Sequence, residues 1–232
     1  MNQDITAIFL TQNEVPEEWM KFHNKCLIEA LNGAPLITLS RKLMPHLPGV
    51  NILQDKPRSL SNIYYQLLRG AKMATTDYIA VVEDDSLYPA EHFRQRPSKD
   101  KIGYNMNHWS LFTWITSHHP EPIYSWRNRR GNYSMLSYRE LVIEALEERF
   151  AKYPNGTPDN ITGELGRPMV EHNMGVTSRQ VEEFETTVSI INFNHSNASD
   201  DLQLRQRKSL GEIRAYDIPF WGKASELVKK WK

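Results

Sequence analysis

An α/β fold with a mostly parallel sheet and helices on both faces is predicted by three features of this chain. Short apolar runs alternate with amphipathic stretches through the first 85 residues. The run Tyr78 to Val82 is apolar without interruption, the mark of a strand buried on both faces. The stretches between such runs carry apolar residues at three-to-four spacing, which is helical. A length of 232 residues suits one decorated domain. No repeat, low-complexity tract or linker divides it, so residues 1–232 are expected to form a single domain.

The elements follow in order. Ile5 to Leu10 is rich in strand formers, and the polar turn Thr11-Gln12-Asn13-Glu14 follows it. Pro16 is expected to open a helix where a missing N–H costs nothing. Trp19, Phe22, Cys26, Leu27, Ala30 and Leu31 form its apolar face, and Gly33 closes it. Pro35 to Ser40 and Val50 to Leu53 are strand candidates, Ser61 to Met73 is a helix, and Tyr78 to Val82 is the buried strand. The second half is less regular. Ile102 to Phe112, Pro122 to Trp126 and Val188 to Phe193 read as strands, and Ser137 to Tyr153 as a helix opened by the capping box Ser137-Tyr138-Arg139-Glu140. Pro154 to Gly166 is dense in Pro, Gly and Asn and is expected to be a mobile loop.

Composition narrows the function. Hydrophobic residues at 40% are enough for a core, and a net charge of zero advertises no general affinity for nucleic acid. The single cysteine, Cys26, excludes an internal disulfide and a cysteine-based zinc site, and its apolar neighbours predict a buried thiol. No basic stretch followed by an apolar run opens the chain, and no apolar run approaches the roughly 20 residues that span a bilayer. A cytoplasmic protein is expected.

The most informative segment is the strand that runs into Glu83-Asp84-Asp85. Ligands of open α/β sheets bind beyond the carboxyl ends of the strands. Three adjacent carboxylates repel one another and resist burial unless a positive charge joins them. Their hard oxygens suit Mg²⁺ or Mn²⁺. If the chain stays extended, Glu83 and Asp85 share one face and Asp84 takes the other. A solvated acidic turn, or acids holding structural Arg or Lys side chains, are the other readings of the same residues.

The segment Ser59 to Asp85, "SLSNIYYQLLRGAKMATTDYIAVVEDD", with "SLYPAEHF" after it and "YNMNHW" from Tyr104 to Trp109, resembles a group of bacterial and phage glycosyltransferases of GT-A type. In that group the acidic motif often reads Glu-His-Asp before Leu-Tyr-Pro. The resemblance implies a GT-A (Rossmann-like) α/β/α sandwich around a mostly parallel central sheet. Residues 1–100 would form the nucleotide-sugar half and 101–232 the acceptor half. It also implies a divalent metal, Mn²⁺ or Mg²⁺, held by Glu83 and Asp85 against the diphosphate of a donor such as a UDP-sugar. Enzymes of this type often add a late histidine to the metal, and His195 matches in position and context. His118 and His119 are expected to be surface residues.

Further residues are expected around such a site. Thr11, Asn13, Arg58 and Asp84 lie just beyond or before predicted strands and could meet the nucleotide. Glu164, in the Gly-rich loop, is the first choice for the base that deprotonates an acceptor hydroxyl, with Glu171 and Glu140 as alternatives. Arg127, Arg129 and Arg130 cluster between Trp126 and Tyr133, a pattern that can clamp phosphate or mark an exposed turn. The acceptor is either a glycan or a hydroxymethylated pyrimidine in phage DNA. A nucleotidyltransferase or other Mg²⁺-dependent phosphate-handling enzyme is the second functional class, although Thr11 to Glu14 lacks the glycines of a phosphate loop.

Overall fold

Burial on both faces accounts for the two longest apolar runs. In the computed structural model, which describes residues 3–112, 121–194, 211 and 213–231, all six residues of strand β1 (Ile5–Leu10) are buried. Strand β4 (Tyr78–Glu83) lies beside it in parallel register, from Ile5 opposite Tyr78 to Leu10 opposite Glu83. On the other side of β1 come β2 (Leu36–Ser40) and β3 (Val50–Leu53), also parallel. The short β9 (Leu136–Tyr138) closes the sheet, antiparallel to β4. The order is β3-β2-β1-β4-β9, and three of its four pairings are parallel. The predicted class, an α/β fold around a mostly parallel sheet, is the one observed.

Alternation along the strands sends side chains to two cores. Ile8, Leu39, Ile79 and Val81 pack with helix α2 (Leu60–Met73) and helix α3 (Arg139–Lys152). Ile5, Ala7, Phe9, Ala80 and Val82 pack on the opposite face with Leu27 and Leu31 of helix α1 (Glu17–Leu31). Helix α1 begins one residue later than predicted, because Pro16 is its cap with extended backbone. It ends at Asn32 and Gly33, both at positive φ. Ser59 caps α2 by accepting the Asn62 amide at 3.0 Å.

The second half departs further from expectation. The run predicted as one strand from Ile102 is two, β6 (Lys101–Asn105) and β7 (His108–Phe112). They break at Asn105, whose side chain accepts the Asn107 amide at 3.0 Å and turns the chain. Strand β10 (Gln180–Phe184) pairs with β6, and a Tyr104–Met135 bridge joins that pair to the central sheet next to β9. A second sheet runs β12 (Ile213–Ala215), β8 (Ile123–Trp126), β7, β11 (Ile190–Asn194) and β5 (Ser86–Leu87). The capping box does not form. Ser137 lies in β9, and its hydroxyl accepts the Gly103 amide and donates to the Lys101 carbonyl instead. Cys26 is half-buried rather than buried, and its thiol is pushed up by burial and by Glu29.

The loop Pro154 to Gly166 contains no helix or strand, but it is fastened. The Ser61 hydroxyl accepts the Thr157 amide at 2.9 Å, and the hydroxyls of Thr157 and Thr162 bond at 2.6 Å. The short helix α4 (Pro168–Met174), which the periodicity did not indicate, follows it.

Helix α2 approaches β1 so closely that only glycine fits at Gly70. A β-carbon there would stand 2.7 Å from Ile8 Cγ2 and 3.1 Å from Leu39 Cδ1, both on fully buried residues. Alanine favours a helix by about 1 kcal/mol over glycine. Overpacking a core costs about 1–3 kcal/mol. Packing should win, so Gly70→Ala is expected to lower the urea midpoint without changing the slope of the transition. A raised midpoint would show that the helix–sheet spacing is not the constraint.

Candidate active site

The strand order contains a topological switch. From β1 the chain moves outward to β2 and β3, then returns to β4 on the other side of β1. The crevice between the carboxyl ends of β1 and β4 is where such sheets bind ligands. Two segments meet there: Thr11 to Asn13 after β1, and Glu83-Asp84-Asp85 at the end of β4.

The acidic run does not stay extended. Asp84 and Asp85 form a tight turn between β4 and β5, so simple alternation stops at Glu83. Asp84 turns towards β1, where Oδ2 accepts the Thr11 hydroxyl. Asp85 turns towards β11, where Oδ1 accepts the Asn192 amide at 3.0 Å and the Ser86 hydroxyl at 3.1 Å. Glu83 stands within electrostatic reach of both aspartates, of Glu164 and of Arg129.

The backbone of this turn is held from three sides. Trp19 and His23, one helical turn apart on α1, point their ring nitrogens at it. Trp19 Nε1 donates to the Asp84 carbonyl at 2.6 Å, and His23 Nε2 lies 3.1 Å from the Glu83 carbonyl. The Glu83 amide donates to the Tyr88 hydroxyl at 3.0 Å. The Phe193 amide donates to the Asp85 carbonyl at 2.7 Å, continuing the antiparallel pairing of β11 with β5.

This clamped turn concentrates negative charge. Burial, then Asp85, Asp84 and Glu164, raise the Glu83 carboxyl well above the usual range, and Arg129 opposes them. Burial and Asp85 push Asp84 up to about 7, against the hydrogen bond from Thr11. Carboxylates held this way invite a cation.

The other predicted residues distribute unevenly. Thr11 is buried, bonded to Asp84 and to the Asn13 amide at 2.9 Å. Asn13 has φ +57°, and its Oδ1 accepts the amides of Arg41 and Lys42, both at 2.8 Å. It therefore shapes the turn after β1. Arg58 stands beside this turn and donates to Glu14 at 2.8 Å. Glu164 lies within electrostatic reach of Glu83, with Arg167 Nη1 at 3.2 Å from its Oε2. Glu171 is structural: its two carboxylate oxygens accept the Gly166 amide at 2.7 Å and the Arg179 amide at 3.0 Å. Glu140 pairs with Arg139. His118, His119 and His195 lie outside the described residues.

The arginine cluster splits. Arg130 pairs with Glu183 at 2.9 Å and donates to the Gly166 carbonyl at 3.2 Å. Arg129 turns towards Glu83 and Tyr133. Sequence reasoning missed Tyr64 and Asn132, which exchange hydrogen bonds at 3.1–3.2 Å near Glu164. It missed Asn192 as well. The polar roles of Trp19 and His23 were masked, since their spacing is that of any buried helix face.

No family model and no curated protein sequence matches the chain. Solved structures with a similar course of the chain include the bifunctional IspDF from Campylobacter jejuni, at 10% identity and a TM-score of 0.43. It covers 79% of this chain, which spans half (50%) of that protein's length. A Drosophila galactosyltransferase 7 mutant, solved with manganese, UDP-Gal and xylobiose, covers 90% of this chain and 75% of its own at 14% identity and a TM-score of 0.42. The 2-C-methyl-D-erythritol 4-phosphate cytidylyltransferase of Thermus thermophilus covers 86% and 96% at 12% identity and a TM-score of 0.46.

The charge at Asp84 has a consequence for stability. Its carboxyl titrates near 3.8 when unfolded and at about 7 in the fold. Between those values the folded chain binds more protons, so its contribution to stability falls as pH rises. Burial depresses His23 and His108 to about 4 and His92 to about 3, which works in the opposite direction below pH 6.5. The difference between wild type and Asp84→Asn removes the histidines from the comparison. In metal-free buffer, wild type should lose stability relative to Asp84→Asn from about pH 4 to about pH 7 and run parallel to it above. Urea melts across that range test this, and parallel curves throughout would refute the raised carboxyl.

Proposed function

We propose that the chain is a metal-dependent glycosyltransferase of GT-A type, moving a sugar from a nucleotide-sugar donor to a hydroxyl acceptor. One observation supports this reading: three successive carboxylates, two of them raised by burial and mutual repulsion, stand at the carboxyl end of β4, beside the turn after β1, at the switch point of the sheet. The donor set is hard oxygen, which fits Mn²⁺ or Mg²⁺. Among the described residues no three His, Cys, Asp or Glu side chains group tightly enough to hold one ion alone. That agrees with the habit of Mg²⁺, which takes one or two carboxylates and leaves other positions to substrate phosphate and water. Glu83 and Asp85 are the proposed ligands, with His195 as a third.

A bound metal would supply charge neutralisation on the leaving diphosphate. The chain's own residues do the rest. Residues 1–100 bind the donor, such as a UDP-sugar. Thr11 and Asn13 are proposed to meet its base or ribose and Arg58 its phosphate, with Asp84 beside them. Arg129 is the arginine of its cluster placed to meet the diphosphate, because Arg130 is engaged by Glu183. Residues 101–232 take the acceptor, and Glu164 deprotonates its hydroxyl. The acceptor is a glycan or a hydroxymethylated pyrimidine in phage DNA. Arg129 and Arg130 diverge, so the three arginines do not form one clamp for the phosphates of a DNA acceptor. The proposed setting is the cytoplasm of a bacterium or phage-infected host cell. No helix among the described residues is long and apolar enough to cross a membrane.

A panel of labelled sugar nucleotides with Mn²⁺, followed by mass spectrometry of glycan and hydroxymethylated DNA acceptors, tests this reading. Asp85→Asn is expected to fold normally and to lose transfer on the order of 100-fold or more, as removing a preorganised charge-stabilising group does. EDTA should do the same to wild type. Undiminished transfer in EDTA or in Asp85→Asn would sink the metal assignment. Nucleotidyl transfer to a sugar phosphate, with release of inorganic diphosphate, would identify the second class instead.

A further inference from the structure

The least comfortable group in the protein is not in the acidic site. Arg149, on α3, is fully buried, and among the described residues Tyr64 is the polar neighbour its guanidinium engages, with no well-formed hydrogen bond to any of its three nitrogens. Such a group costs several kcal/mol in a protein interior unless something compensates it, and natural proteins keep few of them. Its guanidinium carbon lies 4.5 Å from the centroid of the Tyr64 ring, a cation–π geometry. Burial lowers its pKa, while Tyr64, Glu171 and Tyr104 act electrostatically to hold the proton on.

Those three neighbours share one task. The Tyr104 hydroxyl donates to the Leu165 carbonyl at 2.9 Å. Glu171 accepts the Gly166 amide at 2.7 Å. Tyr64 exchanges hydrogen bonds with Asn132 and stands within electrostatic reach of Glu164 and Glu83. The two residues that follow Glu164 are therefore pinned by groups around Arg149, and Tyr64, whose ring lies beneath Arg149, is within electrostatic reach of Glu164.

We infer that Arg149 is a positioning residue: its buried charge sets Tyr64, Tyr104 and Glu171 around one centre and so fixes the Leu165–Gly166 backbone that aims Glu164 at the acidic site. The inference rests on the assignment of Glu164 as the base. Stability alone does not account for Arg149. An unpaired buried cation costs stability, and an apolar side chain of similar size removes that cost. A retained, costly charge next to a functional loop is the pattern expected where activity and stability compete.

Arg149→Met separates the two roles. It is expected to keep or raise the melting temperature while kcat for sugar transfer falls on the order of 10- to 100-fold, the scale of an ångström-level misplacement. The KM for the nucleotide sugar should stay within about twofold, since the donor crevice lies at β1 and β4. Arg149→Lys, which keeps a charge over the Tyr64 ring, should recover part of the lost kcat. Wild-type kcat in Arg149→Met would overturn the inference, as would a loss of kcat accompanied by a matching fall in melting temperature. If Arg149→Met does not fold, Arg149→Lys decides: lowered kcat with unchanged donor KM supports the role, and wild-type kcat refutes it. Glu164→Gln, assayed alongside, keeps the two claims apart. Full transfer by Glu164→Gln removes the base assignment itself. An inactive Glu164→Gln beside a fully active Arg149→Met removes only the role of Arg149.

Discussion

Three carboxylates at the end of a strand buried on both faces will separate if the backbone lets them. This one does not. The Asp84 and Glu83 carbonyls face the rings of Trp19 and His23, the Glu83 amide is tied to Tyr88, and the Asp85 carbonyl is tied to Phe193. Each bond alone contributes about 1 kcal/mol. Together they come from α1, the segment after β5, and β11, so the turn cannot shift without disturbing three separate parts of the fold. The burial and repulsion that raise Glu83 and Asp84 are thus kept rather than relaxed. A site held against its own repulsion needs little reorganisation when positive charge arrives, which is what electrostatic preorganisation requires.

The parallel half of the sheet was legible because its signals are local. Ile5 to Leu10 and Tyr78 to Val82 had to be apolar throughout, since helices cover both faces. The crevice followed from the strand order, and Glu83-Asp84-Asp85 was visible as charge where an apolar run stops. The second half depends on contacts distant in sequence. Strand β10 pairs with β6 across the Gly-rich loop and two helices, and no pattern within Gln180–Phe184 announces it. Ser137 satisfied a capping pattern, yet its hydroxyl was claimed by β6 before a helix could use it. Local hydrogen-bonding side chains compete for partners, and tertiary structure decides which partner wins.

The same contrast divides the site. Thr11 and the acidic turn follow β1 and β4 directly. The other residues of the proposed site do not: Glu164 comes from a loop, Arg129 from the turn after β8, and Asn132 and Tyr64 from segments 68 residues apart. Proximity in sequence misled here: Arg127, Arg129 and Arg130 looked like one clamp. Their backbone runs along a turn, so neighbours diverge, one towards Glu183 and one towards Glu83.

Trp19 shows how closely packing and site are joined. Its ring lies 4.1 Å from Phe193 and 4.8 Å from Trp231 by centroids, and Phe193 and Trp231 stack at 5.2 Å. Burying a ring of that size is worth about 3–5 kcal/mol, several times the value of its hydrogen bond to Asp84. Packing therefore sets where the indole sits, and the hydrogen bond takes its direction from that placement. The aromatic cluster links α1 and β11 to the chain's last described turn. The backbone of β11 in turn holds Asp85, through the Phe193 amide. The position of the acidic turn is thus decided largely by hydrophobic contacts, on residues that carry no chemistry of their own, and the carboxylates inherit their geometry from them.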